Sequence, residues 1–448
     1  MLNLWIERRL NVNIFAAAFL LIVLATTPLA IGSHRPIFWL FNSTIIFLFM
    51  AAYIFMCHIF GVRMQYKFSR NSSLWAISIF FLISLCGIWV SDWWLGGSVI
   101  IGSRNDLAIG ILRYLSYGCV FFLALQSFIN EKRAERFSVL IIVIVSLYGT
   151  YGLLSINNPE FLFYKKLSYI EFATGPFINR NTFATYLSLG LVLSISYALR
   201  KNSNQNFKNK TVATHFGMYQ ITLRLFFLTF SILIASVIML TGSRMGVFVA
   251  LLGSLIVVFL RYRQFVLYNE RDTFPRGLLF SLVGLTLVVS LAYIFFSGTV
   301  FFDRIENNKI SNDGRWELFY QVIQLIKLHP VLGVGVDSFS DSFRIVHHLP
   351  LRANVLWDNA HNTYLELWAE LGVLLGTFPI LVCFAALRKL IQRERRFSNT
   401  DYLVHTAISA LILVGVHALV DFSIETSAVV YLFVILLALG LAPVSVAR

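Results

Sequence analysis

Charged side chains make up only 13% of this chain against 58% hydrophobic residues, and the acidic kind is scarcer, with 22 Asp and Glu to 36 Lys and Arg. A soluble globule of 448 residues could not clothe its surface from so small a polar supply, which leaves a bilayer as the solvent. Cysteine is equally sparse. Cys57, Cys86, Cys119 and Cys383 fall inside apolar runs with no C-x-x-C spacing and no histidine partner, so disulfides and thiolate metal sites are excluded. D-x-D, H-E-x-x-H and G-x-x-x-x-G-K-[ST] are absent, which argues against a metal-dependent transferase, a zincin or a P-loop site. The one acidic pair at spacing two, Glu270 and Asp272, lies in a basic loop away from the candidate site. No metal and no cofactor is expected.

What the chain has in abundance is apolar stretches long enough to cross about 30 Å of hydrocarbon as helices. Twelve are expected, at 13–31, 37–60, 73–94, 107–128, 137–155, 181–199, 224–241, 245–260, 277–297, 364–387, 403–420 and 424–443. The first follows Glu7-Arg8-Arg9 without a small-residue cleavage pattern and reads as a retained span. With the N-terminus inside, the Lys- and Arg-rich loops at 61–72, 129–136, 200–223, 261–276 and 388–402 all become cytoplasmic, as do both termini. The net charge of +14 is then a matter of topology, and nucleic acid is not an expected partner; membrane lipids are.

The expected fold is an all-α polytopic membrane protein, a single integral membrane domain over 1–448, with one large outer loop at 298–363 between the ninth and tenth spans. There is no internal repeat, and only 202–210 has the composition of a flexible linker. Within the large loop, Trp316, Phe319, Ile323 and Ile326 recur at helical spacing, with Gln321, Gln324 and Lys327 elsewhere on the wheel and His329-Pro330 ending the pattern. This predicts an amphipathic helix carrying Arg315 in its first turn.

Once topology is fixed, polar residues from separate segments collect at the outer boundary: Arg180 and Asn181, Arg244 in Thr241-Gly242-Ser243-Arg244, Arg315, His361, and His417 with Asp421. Guanidinium forks suit pyrophosphate oxygens, because they donate paired charge-assisted bonds and keep their proton. In Asp358-Asn359-Ala360-His361-Asn362-Thr363, Asp358 or Asn359 is expected to cap the tenth helix. His361 would then lie in the first turn, kept neutral by the positive helix end and able to accept a hydroxyl proton. Glu366 and Glu370, and likewise Asp421 and Glu425, are spaced four apart and are expected to orient the histidine or the arginines. A twelve-span transporter is the alternative of another class, but it would show repeat symmetry and midplane polar sites.

The run from Asn359 to Gly372 resembles the hallmark of the bacterial O-antigen ligase and polymerase superfamily, a His-Asn pair followed at fixed spacing by a glycine motif. Leu375 stands where the second glycine of that motif is expected, and Gly376 comes one residue late. The segments at 177–184, 241–246, 314–317 with 329–335, and 417–422 are similar to the same superfamily. The resemblance implies a GT-C-type membrane enzyme that acts without a metal at the periplasmic face of the bacterial inner membrane. It moves a glycan from undecaprenyl pyrophosphate to an acceptor hydroxyl with inversion. Carried onto this chain, it makes His361 the acceptor-side base and sets Arg315 and Arg244 on the departing pyrophosphate, with Arg180 assisting. Asn181, Asn362, Glu366, His417 and Asp421 become substrate-side or supporting residues. The acceptor it implies is lipid A-core for a ligase, or another lipid-linked glycan for a polymerase.

Overall fold

The computed structural model describes residues 12–62, 64, 66–97, 103–156, 158, 171–200, 210–267, 314–351, 357–395 and 401–442. The ninth apolar stretch at 277–297, the flanking parts of the large loop at 298–313 and 352–356, the linker at 202–209 and the Glu270/Asp272 pair lie outside these residues, as does the chain before Val12. The regular structure is helical: α1 (Val12–Thr26), α2 (Pro36–Ile59), α3 (Ser72–Trp94), α4 (Arg104–Ser127), α5 (Glu131–Leu154), α6 (Arg180–Ala198), α7 (Lys210–Leu240), α8 (Arg244–Leu267), α9 (Arg315–Leu328), α10 (Phe339–Phe343), α11 (Thr363–Gly376), α12 (Phe378–Glu394), α13 (Asp401–His417) and α14 (Ser427–Leu441).

Among the described residues, six helices are long and apolar enough to cross a membrane, and α11 with α12, bent by 73°, makes up to seven. The helices α1, α13 and α14 are apolar but shorter. α6 is not among the candidates, and its sequence says why. Ser and Thr lower its hydropathy, yet Thr182, Thr185, Ser188, Ser194 and Ser196 are all buried. It is enclosed nearly all round by α5, α7, α8, α13 and α14, so its hydroxyls face protein rather than lipid. Small residues let the backbones close up: a Cβ on Gly246 would meet the Ala184 Cβ at 2.4 Å, and one on Gly440 would meet that of Ala407 at 2.4 Å.

The two ends of the bundle differ in chemistry. Where α6 ends, Arg200 pairs with Glu135, Tyr197 Oη donates to Glu135 Oε1 at 3.0 Å, and Arg261 Nε donates to the Leu199 carbonyl at 2.9 Å. Arg263 pairs with Glu394 at 3.1 Å. Glu135, Arg200, Arg261, Arg263 and Glu394 come from the basic loops grouped on one side by the sequence. The opposite end, where α6, α8 and α11 begin, carries the candidate site.

The amphipathic helix forms as α9, but in another phase. Leu318, Val322, Leu325 and Ile326 are buried with Val334, Phe339, Phe343 and Ala369, whereas Trp316 is 82% exposed and Ile323 is exposed too. Gln321, expected on the polar side, is buried; its amide donates to Glu317 Oε1 at 2.8 Å and to the His348 carbonyl at 2.9 Å. Two apolar stripes overlap on this helix, and the neighbouring core rather than periodicity selects one. All four cysteines are free thiols; Cys57 is buried and Cys86 is exposed.

Candidate active site

The hallmark helix is capped by Asn362, not by Asp358 or Asn359. Asn362 Oδ1 accepts from the backbone N–H groups of Tyr364 at 3.0 Å and Leu365 at 3.1 Å, satisfying two of the donors a helix start leaves open. His361 therefore stands one residue before the cap instead of in the first turn, and its backbone takes a left-handed conformation with φ 51°. Outside the first turn, the ring is not held neutral by the helix start in the way the sequence predicts. For a non-glycine residue this conformation costs about 1–2 kcal/mol, and it persists only where neighbours enforce it.

Those neighbours are specific. Glu366, one turn into α11 and buried, reaches back: Oε1 accepts from Asn359 Nδ2 at 2.9 Å, and Oε2 accepts from the Ala360 N–H at 3.0 Å. Both of these bonds run to the peptide bearing His361. On the other side, Asn362 Nδ2 donates to the Leu419 carbonyl at 2.9 Å, the Thr363 N–H donates to the Ala418 carbonyl at 2.9 Å, and Tyr364 Oη donates to the Gly415 carbonyl at 2.7 Å. The His361 ring lies edge-on to Phe422 with centroids 4.9 Å apart, and Trp357 flanks it at 6.4 Å. The imidazole is held between two aromatic rings at the end of a helix whose start is clamped to the α13–α14 connection.

That connection ties in the next segment. Asp421 is buried, and its Oδ1 accepts from Asn181 Nδ2 at 3.2 Å while its Oδ2 accepts from Ser423. His417, also buried, places Nδ1 in hydrogen-bonding contact with Thr185 Oγ1 on α6. Asn179 caps α6 by accepting from the Asn181 N–H at 2.8 Å. The predicted residues Asn181, Asn362, Glu366, His417 and Asp421 thus form one bonded frame around His361.

The arginines arrive by other routes. Arg180 opens α6 and lies over the Phe172 ring at 4.4 Å. Gly242, at φ 62°, brings the turn before α8 so close that a Cβ there would sit 3.0 Å from Arg180 Nη1. Arg180 and the turn ending in Arg244 are therefore neighbours, and Arg244 is exposed at the start of α8. Arg315 is the first residue of α9, and the preceding Gly314 approaches Trp357. Among the described residues, no three His, Cys, Asp or Glu side chains gather as a metal-binding group.

The glycine after the hallmark has a clear task. Gly372 breaks α11 with φ 72° and ψ 164°, a conformation that is essentially glycine's alone. The 330–335 segment fills the break, with Val334 N–H donating to Ala369 O at 2.8 Å, Gly335 N–H to Glu370 O at 2.9 Å and Val373 N–H to Pro330 O at 2.9 Å. Gly376, the displaced glycine, closes α11, and Leu375 is buried beside it. Glu370 Oε1 accepts from the Phe339 N–H at 3.3 Å.

One charged residue went unrecognised in the sequence reading. Arg113, inside α4, is buried; it pairs with Asp337 at 3.2 Å and Glu425 at 3.0 Å, donates through Nε to Tyr117 Oη at 2.8 Å, and lies 5.4 Å from the Trp39 ring centre. Its signal was available, since an arginine in the interior of an apolar span calls for a partner.

The architecture is that of a multi-pass helical membrane protein whose polar, cross-braced site is built from helix ends and the turns between them. Residues 229–380 match the family model described as O-Antigen ligase, and this match supports the O-antigen ligase and polymerase superfamily. Members of that family are glycosyltransferase-like enzymes that use a lipid-linked glycan donor and an acceptor. The matched stretch contains Arg244, Arg315, His361, Glu366 and Gly372, and ends before His417 and Asp421. No curated protein matches the chain.

Proposed function

We propose that this protein is a metal-independent, inverting glycosyltransferase of the bacterial inner membrane, most specifically an O-antigen ligase. It spans the bilayer twelve times as a single domain, with both termini cytoplasmic and the 298–363 loop and active site periplasmic. The donor is a glycan on undecaprenyl pyrophosphate, and the acceptor is a hydroxyl of lipid A-core. His361 takes the acceptor proton as the hydroxyl oxygen bonds to the anomeric carbon from the face opposite the pyrophosphate. The bond between that carbon and the pyrophosphate oxygen breaks, and its electron pair leaves with the pyrophosphate. Arg315 and Arg244, with Arg180, stabilise the negative charge that grows there, which lowers the barrier more than it strengthens ground-state binding. Asn181, Asn362, Glu366, His417 and Asp421 hold the frame and line the substrate side.

The observation that carries this reading is the strained His361 backbone, braced by Glu366 on one side and by the 415–421 segment on the other. A histidine with only a packing role gives no reason to maintain such a conformation. The test is genetic. A deletion strain is complemented with wild type, His361→Ala or Arg315→Ala, and its surface polysaccharide and lipid-linked intermediates are examined. Loss of transfer with full-length lipid-linked polymer accumulating and a bare core supports the ligase. Accumulation of single lipid-linked repeats assigns the protein to polymerisation instead. Normal glycan assembly with both variants removes the catalytic assignment.

A further inference from the structure

We propose that Arg113 is a positioning residue for glycan transfer, a single buried guanidinium that locks two turns against α4, one beside Phe422 and the other at the Gly372 break of α11; this rests on the transferase reading above. The geometry is a three-way junction. Nη1 bonds Asp337 Oδ1 and Nη2 bonds both the carboxylate and the backbone carbonyl of Glu425, while Nε is committed to Tyr117 on its own helix. Trp39 of α2 lies against the guanidinium from a further helix.

Each partner leads to the site by a short path. Glu425 ends the 3-10 turn Ser423–Glu425, which directly follows Phe422, the ring packed against His361. Asp337 follows the 330–335 segment that fills the Gly372 break in α11, the helix His361 precedes. Asp337 itself is left-handed at φ 57°, a second non-glycine residue in a conformation that needs enforcement. The two turns lie more than 80 residues apart in sequence, and Arg113 bonds to both. A lysine keeps the charge and three donors, but they sit on one compact nitrogen without the planar fork, so it cannot reach Asp337, Glu425 and Tyr117 in the separations the guanidinium spans. A solely structural ion pair would show itself in stability alone, because a neutral replacement of both members of a buried pair is often tolerated by the fold.

The experiment uses the full chain in nanodiscs and in complemented deletion cells, with variants Arg113→Lys, Arg113→Met and the double Arg113→Met/Glu425→Gln. Two properties are read beside Tm: Kd for undecaprenyl pyrophosphate, and the rate of glycan transfer to the cell surface. Arg113→Lys is expected to leave Kd within about twofold and to cut transfer at least tenfold. The double variant is expected to regain the Tm lost in Arg113→Met without regaining transfer. Transfer returning together with Tm overturns the proposal, as does Arg113→Lys working within about twofold of wild type or losing undecaprenyl pyrophosphate affinity to the extent expected of Arg315→Ala. Failure of the transferase reading looks different: wild type would not bind undecaprenyl pyrophosphate, and His361→Ala would transfer normally.

Discussion

Replacing Glu366 by alanine tests the brace beneath His361 without touching the histidine. The carboxylate accepts two bonds, from Asn359 Nδ2 at 2.9 Å and from the Ala360 N–H at 3.0 Å, and both Glu366 and Ala360 are buried. Removing it leaves a buried backbone N–H unsatisfied, at a cost of about 1–3 kcal/mol, with the lost side-chain bond adding to it. His361 holds φ 51° against an intrinsic preference of about 1–2 kcal/mol, so with one side of the clamp gone the peptide relaxes toward ordinary backbone. At about 1.4 kcal/mol per factor of ten, the working conformation falls to roughly a tenth of its population, and transfer should fall by about 10- to 30-fold. Glu366→Gln retains one acceptor but turns an amide N–H₂ toward a donor, so an intermediate loss of about 3- to 10-fold is expected. The assay is glycan transfer in membranes from a complemented deletion strain, normalised to protein amount and read beside Tm. If Glu366→Ala transferred at the wild-type rate with its fold intact, the brace would have no bearing on the chemistry.

Three further outcomes follow from the same geometry. Gly372→Ala places a Cβ 2.1 Å from the Val331 carbonyl oxygen in a backbone region closed to other residues, so a loss of about 3 kcal/mol or more and poor recovery of folded protein are expected in a Tm and expression comparison. Asn362→Ala removes the cap of α11 and the bond to Leu419, and should cost about 1–2 kcal/mol in chemical unfolding while lowering transfer. In α9, Leu325→Ala should destabilise by about 2–5 kcal/mol, whereas Trp316→Ala should stay within about 0.5 kcal/mol; the reverse order would show that the other apolar stripe faces the core.

Much of the helical layout was legible because bilayer length and apolar composition constrain a span strongly. Its details were set by contacts that periodicity does not encode. α6 reads as an ordinary span in sequence, and only its enclosure explains why its hydroxyls are tolerated. The cap of α11 was misplaced because Asp358, Asn359 and Asn362 are all capable caps; the tie from Asn362 to Leu419, far along the chain, favours the last of them. The residues Asn181, Asn362, His417 and Asp421 could be named one by one from the sequence, yet their bonding pattern could not, because it is a relation among three distant segments. Arg113 was overlooked for the opposite reason: it sits alone in an apolar run, and its significance lies wholly in its partners.

The break at Gly372 also bears on how this protein can be recombined. The 330–335 segment supplies the hydrogen bonds that an interrupted helix would otherwise lack, so a stretch of the connection before α11 is in effect part of that helix. Connection and helix are therefore not interchangeable modules. A chimaera that takes the 314–351 region from one relative and α11 from another inherits two halves of a joint that were never fitted to each other, and exchanges of specificity between relatives should succeed only when both halves travel together.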